Sequence, residues 1–64
     1  MDAIKQRVYQ EQSELEQKLD KLNAFNQSDK FQELNDVHKS FLLIQAGAMY
    51  TYNEVLKARL SIEW

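Results

Sequence analysis

The sequence predicts an all-α fold, an antiparallel helical hairpin with a short helical connector that assembles as a homo-oligomeric helical bundle. Three observations predict it. Proline is absent and glycine occurs once, at Gly47, so two long segments of helical periodicity run without a breaker. Between them, residues 23–29, NAFNQSD, concentrate short polar side chains that compete for backbone bonds. The run 41–50, FLLIQAGAMY, reads as helix yet is apolar on nearly every side.

The first element is a helix over about 3–26. Ile4, Val8, Leu15, Leu22 and Phe25 recur at three-, four- and seven-residue steps, and Leu19 widens that face. Gln, Glu, Lys and Leu fill the other positions and are good helix formers. Asp2 is placed to cap the start. Read as heptads, Val8, Leu15 and Leu22 take one core position, and Ile4, Glu11, Lys18 and Phe25 the other.

Ser28 then caps a short helical piece within 29–35, whose Phe31 and Leu34 close one end of the core. Asn35 or Asp36 caps a second long helix over about 37–60. A connection of roughly ten residues favours antiparallel neighbours. The whole chain, 1–64, is one domain.

The second helix carries three apolar stripes. Phe41, Ile44, Ala48, Val55 and Ile62 form the first. Leu42, Gln45, Met49, Tyr52, Leu56 and Arg59 form the second, and Leu43, Ala46, Tyr50 and Leu60 the third. One neighbouring helix covers a stripe of roughly 100°, so a hairpin leaves the rest to other chains. Phe41, Leu42, Leu43, Ala46, Gly47, Ala48 and Met49 are the expected oligomer interface. Gly47 costs about 1 kcal/mol against alanine in a helix; it is either a tolerated small residue or, the favoured reading, the mark of another helix approaching closely at 46–48.

With 64 residues and no cysteine, the chain has neither the size for a large core nor disulfides to supplement a small one. One histidine makes a structural zinc site a poor reading. Association is what remains, with a tetramer or hexamer expected over a dimer. The chain is 44% apolar and 28% charged with a net charge of −2, the balance of a folded domain. No basic stripe points to duplex nucleic acid, and the longest apolar run falls well short of a membrane span. No signal-peptide core opens the chain, so the cytoplasm is the expected location.

Chemistry has few candidates. No serine or cysteine has a histidine at useful helical spacing, and no glycine-rich loop is present. An enzyme is not expected, nor a cofactor or a metal. His38 reads as an exposed helix-start residue. Arg7, Glu11, Lys18, Gln45, Tyr52 and Arg59 form one polar set beside the seam. They are either an internal lattice, with Glu11 and Arg59 as a structural ion pair, or a pocket between protomers. In the pocket reading, Arg7, Lys18 and Arg59 bind an anion and Tyr52 stacks on a base. Tyr9 and Tyr50 fit an interface or a stacking role. Trp64 is expected to fold back or pack on another subunit.

The spacing of Arg7-Val8, Glu11, Glu14-Leu15, Lys18, Lys21-Leu22 and Phe25 continues through Phe31, Leu34, Leu43, Gln45 and Met49 to Tyr52, Val55-Leu56 and Arg59-Leu60. This pattern resembles a family of small tailed-phage proteins, relatives of a crAss-like phage gene product. The resemblance implies a phage accessory protein acting in the cytoplasm of the infected bacterial host. That family is similar in size and architecture to the hairpin-type phage sponges that disarm CBASS and Thoeris defence. Such sponges hold cyclic oligonucleotides or cyclic ADP-ribose isomers in pockets between protomers. The chain lacks the Pro-containing N-terminal segment of the CBASS type, and 28–36 does not match its aspartate- and tryptophan-bearing turn. Ligand residues therefore do not carry over one by one. Nucleotide sequestration is the leading expectation. A host-protein binder or inhibitor using an exposed hairpin face, with an acidic nucleic-acid mimic as its variant, and a structural coiled-coil subunit are the alternatives.

Overall fold

The computed structural model describes residues 2–62. Trp64 and the side chain of Asp2, for which packing and capping are expected above, lie outside that description. Two long helices, α1 (Asp2–Asn26) and α3 (Asp36–Ser61), pack against each other and are joined through one turn of helix, α2 (Asp29–Gln32). Among the described residues there is no strand.

The seam of α1 follows steps of four and three. Val8, Gln12, Leu15 and Leu19 are buried, and Leu22 and Asn26 are half-buried. This corrects the heptad reading that set Ile4, Glu11 and Lys18 beside Val8, Leu15 and Leu22; Phe25, the fourth residue of that row, is half-buried against Phe31. Ile4 is 50% exposed, and Glu11 and Lys18 are exposed. Both readings share the same central row and differ only in which neighbouring row turns inward. The expected row would desolvate two charges, whereas the observed one buries a leucine and an amide that finds a partner.

On α3 the matching row is Leu42, Ala46, Met49, Asn53, Leu56 and Leu60, again at steps of four and three. Val8, Leu15 and Leu56 form the centre of the core, with Met49 and Leu60 packed against them. Leu42, Ala46 and Met49 thus face α1, while Phe41, Leu43, Gly47 and Ala48 of the same run are exposed.

The connector is held by its short polar side chains. Ser28 Oγ donates to the carbonyl of Phe25 at 2.6 Å and accepts from the Phe31 amide at 3.3 Å, ending α1 and capping α2 at once. Asn35 Oδ1 accepts from the His38 amide at 2.9 Å and caps α3. Phe31 is buried edge-to-face against Phe25, with centroids 6.4 Å apart and planes at 88°. Lys39 Nζ lies 5.9 Å from the Phe31 ring centroid, a cation over an aromatic face. Leu34 is half-buried beside this plug.

The Cα trace spans 46 × 14 × 13 Å, a rod one hairpin thick. Its accessible surface is 5073 Å², where a compact monomer of 7.6 kDa exposes about 4,300 Å². Of the ten large apolar side chains exposed among the described residues, eight lie beyond the connector, on α3 and at its C-cap Ile62. A Cβ built on Gly47 would meet nothing within 4 Å, so packing inside the protomer does not require glycine there.

Candidate functional site

At the middle of the seam, where apolar packing would be cheapest, the chain buries two amides. Gln12 is 9% exposed and Asn53 3%. Gln12 Nε2 donates to Asn53 Oδ1 at 3.1 Å, and both amides also donate to Glu16 Oε1 at 3.3 Å. Lys57 Nζ reaches the same carboxylate oxygen at 3.2 Å from the solvent side. Residues one helical turn apart share a face, so Gln12 and Glu16 on α1 meet Asn53 and Lys57 on α3 as a four-residue cluster.

Its electrostatics follow from that convergence. The hydrogen bond from Lys57 leads in holding the Glu16 carboxyl below its ordinary value, and the Asn53 amide adds to it. The same bond raises the Lys57 ammonium, with the charge of Glu16 second. The cluster is self-satisfied and half in water, with the geometry of a register lock. Farther along the seam, Asn26 Nδ2 donates to the Leu42 carbonyl at 3.4 Å, and its buried Oδ1 has no partner.

The polar set expected beside the seam divides by helical position. At about 100° per residue, Arg7, Glu11 and Lys18 fall on one flank of α1, opposite the side that carries Glu16. Gln45, Tyr52 and Arg59 fall on the matching flank of α3, opposite Lys57. The pairing of Gln12 with Asn53 and Asn26 with Leu42 levels Arg59 with Arg7, with Glu11 about one turn farther along α1. The same register levels Tyr52 with Glu14, with Lys18 about one turn farther along. Tyr50 belongs to the opposite flank, with Lys57, and Tyr9 to the Glu16 side of α1. Glu11 and Arg59 are both exposed in the protomer.

Arg7 and Tyr9 also line a surface depression of about 350 Å³ with Gln6, Gln10, Ser13 and Glu14. All six lie on α1, so a single helix makes the whole wall. Ligand sites enclose most of their ligand's surface, and no flank of this rod does so by itself. Among the described residues no group of three or more His, Cys, Asp or Glu is placed to hold a metal ion. No helix there is long and apolar enough to cross a membrane.

Residues 2–62 match the family model described as Sequestin. The chain belongs to the Sequestin family. No curated protein and no solved structure matches it. The Sequestin match spans both long helices and the connector, so the entire hairpin is the family unit. Kinship with relatives of a crAss-like phage gene product is a finer statement than this Sequestin match makes.

The expected site residues left out Gln12, Glu16, Asn53 and Lys57, although each had a sequence signal. Gln12 keeps heptad step with Leu19, and Asn53 with Ala46 and Leu60. Two amides in register with apolar neighbours are the mark of a polar pair inside a helical seam.

Proposed function

We propose that this protein is a non-enzymatic phage accessory protein that sequesters a cyclic nucleotide or related phosphate-bearing immune signal. The signal is held in pockets between the protomers of a homo-oligomer, in the cytoplasm of the infected bacterial host. The observation that carries this reading is the Sequestin match along nearly the whole chain, a family whose name denotes sequestration. The arrangement of the hairpin supports it. Arg7, Lys18 and Arg59 lie on one flank with Tyr52, which pairs phosphate-binding cations with a ring that a base can stack on. Several hydroxyls are committed to backbone carbonyls, those of Ser28, Thr51 and Ser61, which suits binding better than nucleophilic chemistry. Tyr9 and Tyr50 lie on other faces and contribute through a neighbouring protomer.

Titration calorimetry against cyclic di- and trinucleotides and cyclic ADP-ribose isomers tests the reading. Micromolar or tighter binding, at least about −8 kcal/mol, is expected. It should disappear in Arg59→Ala with the oligomer intact. The rival reading, a host-protein binder, is favoured by the exposed apolar surface of α3. A null result across the nucleotide panel, with one host protein recovered stoichiometrically, would replace the proposal by that rival.

A further inference from the structure

The α3 helix carries a second seam that the hairpin leaves uncovered. Val37, Phe41, Ile44, Ala48, Thr51, Val55 and onward to Ile62 recur at steps of four and three, the spacing of a coiled-coil face. The stripe lies about 150° around the helix from the row that packs on α1. Phe41 is 63% exposed, Ile44 67% and Val55 52%. No charged residue interrupts it. From Val37 to Ile62 it is roughly 37 Å long and, at helix width, covers about 400 Å². Contiguous apolar patches of that size mark interaction sites.

We propose that this stripe is a self-association surface, covered by the same stripe of a second copy running antiparallel to it. The pattern is self-complementary under a two-fold axis at the middle of α3. Val37 then opposes Ile62 of the other copy, Phe41 opposes Ala58, Ile44 opposes Val55, and Ala48 opposes Thr51. Three of these layers join a larger side chain to a smaller one or two of middling size, and the two small side chains of the fourth, Ala48 and Thr51, flank the axis, where they let the helices approach closely. A parallel pairing would stack Phe41 on Phe41 and Ala48 on Ala48, crowding one layer and emptying another.

Two copies so paired cover about 800 Å² in projection, and interdigitation of the side chains carries the buried area toward the roughly 1,200 Å² of a specific interface.

The pairing also completes a wall for the polar flank. Gln45, Tyr52 and Arg59 lie on α3 between the row facing α1 and the proposed seam, on the narrower of the two sides. With the second copy in place, they form the floor of a groove. The α1 of the same protomer, with Arg7 and Lys18, is one wall, and the other copy's α3 is the second. The inference deepens the homo-oligomer of the proposed function by naming its interface, and it rests on that reading for the use of the groove alone.

The chain has no native cysteine, so disulfide trapping reports the interface directly. An equimolar mixture of Ile44→Cys and Val55→Cys proteins, mildly oxidised without nucleotide, should give a covalent heterodimer in high yield. A mixture of Ile4→Cys and Tyr9→Cys proteins, both on α1, should not. Ile44→Glu should lower the mass seen by sedimentation equilibrium while far-UV circular dichroism stays helical.

Equal trapping by the α1 pair would overturn the interface. Ala48→Cys linking to itself better than to Thr51→Cys would overturn the antiparallel order. If Ile44→Glu does not fold, the trapping result stands alone as the test. Nucleotide binding is read separately, on the unmodified protein by calorimetry. A trapped dimer that binds nothing removes the ligand reading and keeps the interface, and binding without trapping does the reverse.

Discussion

Asn53 is the most buried polar residue described, at 3% exposed, and it both accepts from Gln12 and donates to Glu16. Asn53→Ala removes the bond of Gln12 across the seam and leaves that amide only Glu16 on its own helix, so it should cost about 1–3 kcal/mol, measured by urea unfolding. Replacing Gln12 and Asn53 together by leucine should recover that loss, because an apolar pair needs no hydrogen bonds. The double variant should also loosen the register that the amide pair specifies, seen as broadened amide resonances. Glu16 and Lys57 give the pH dependence its sign. The Glu16 carboxyl is held below its ordinary 4.5, so its contribution is present above that pH and is lost as pH falls through the folded value. The Lys57 ammonium is raised above 10.5, so its contribution is present below that pH and is lost as pH rises. The Tm difference between wild type and Lys57→Met should therefore shrink as pH is lowered from about 6 to about 3.

At the scale of the element, α3 is the helix with two masters. One row meets α1, and the opposite row, centred on Ala48, meets solvent in the protomer. Gly47 lies beside that second row with open space around it. Gly47→Leu should therefore leave the hairpin folded, with unchanged far-UV circular dichroism. It should shift the assembly state, because overpacking a close helix contact costs about 1–3 kcal/mol. Light scattering reads the mass, and an unchanged mass would count against close approach at 46–48. The connector is simpler. Ser28 bonds on both sides of the turn, and Ser28→Ala should lose about 1 kcal/mol in thermal unfolding.

For the molecule as a whole, a rod with this much exposed apolar surface is expected to be a stable homo-oligomer. Sedimentation equilibrium at micromolar concentration should show masses above 7.6 kDa, and Tm should rise with protein concentration, since association stabilises the folded form by mass action. A single-chain mass throughout would remove both the proposed interface and the pockets that depend on it. The sponge reading adds one more observable, a Tm raised by the nucleotide that calorimetry identifies and unchanged by inorganic phosphate.

The sequence by itself determined the fold class, because periodicity, missing breakers and a polar turn are local properties that one chain displays in order. It also displayed the caps, since Ser28 and Asn35 act on backbone within three residues of themselves. It left open which row beside Val8, Leu15 and Leu22 turns inward, since Ile4–Glu11–Lys18–Phe25 and Gln12–Leu19–Asn26 both keep heptad step. Only the tertiary structure decided that. Gln12 and Asn53 are 41 residues apart, and the bonds that repay the burial of Asn53 come from the other helix, from Gln12 and to Glu16, a condition no local pattern contains. The same choice of row carried Glu11 and Lys18 to the flank and left Phe41, Ile44 and Val55 facing away from α1.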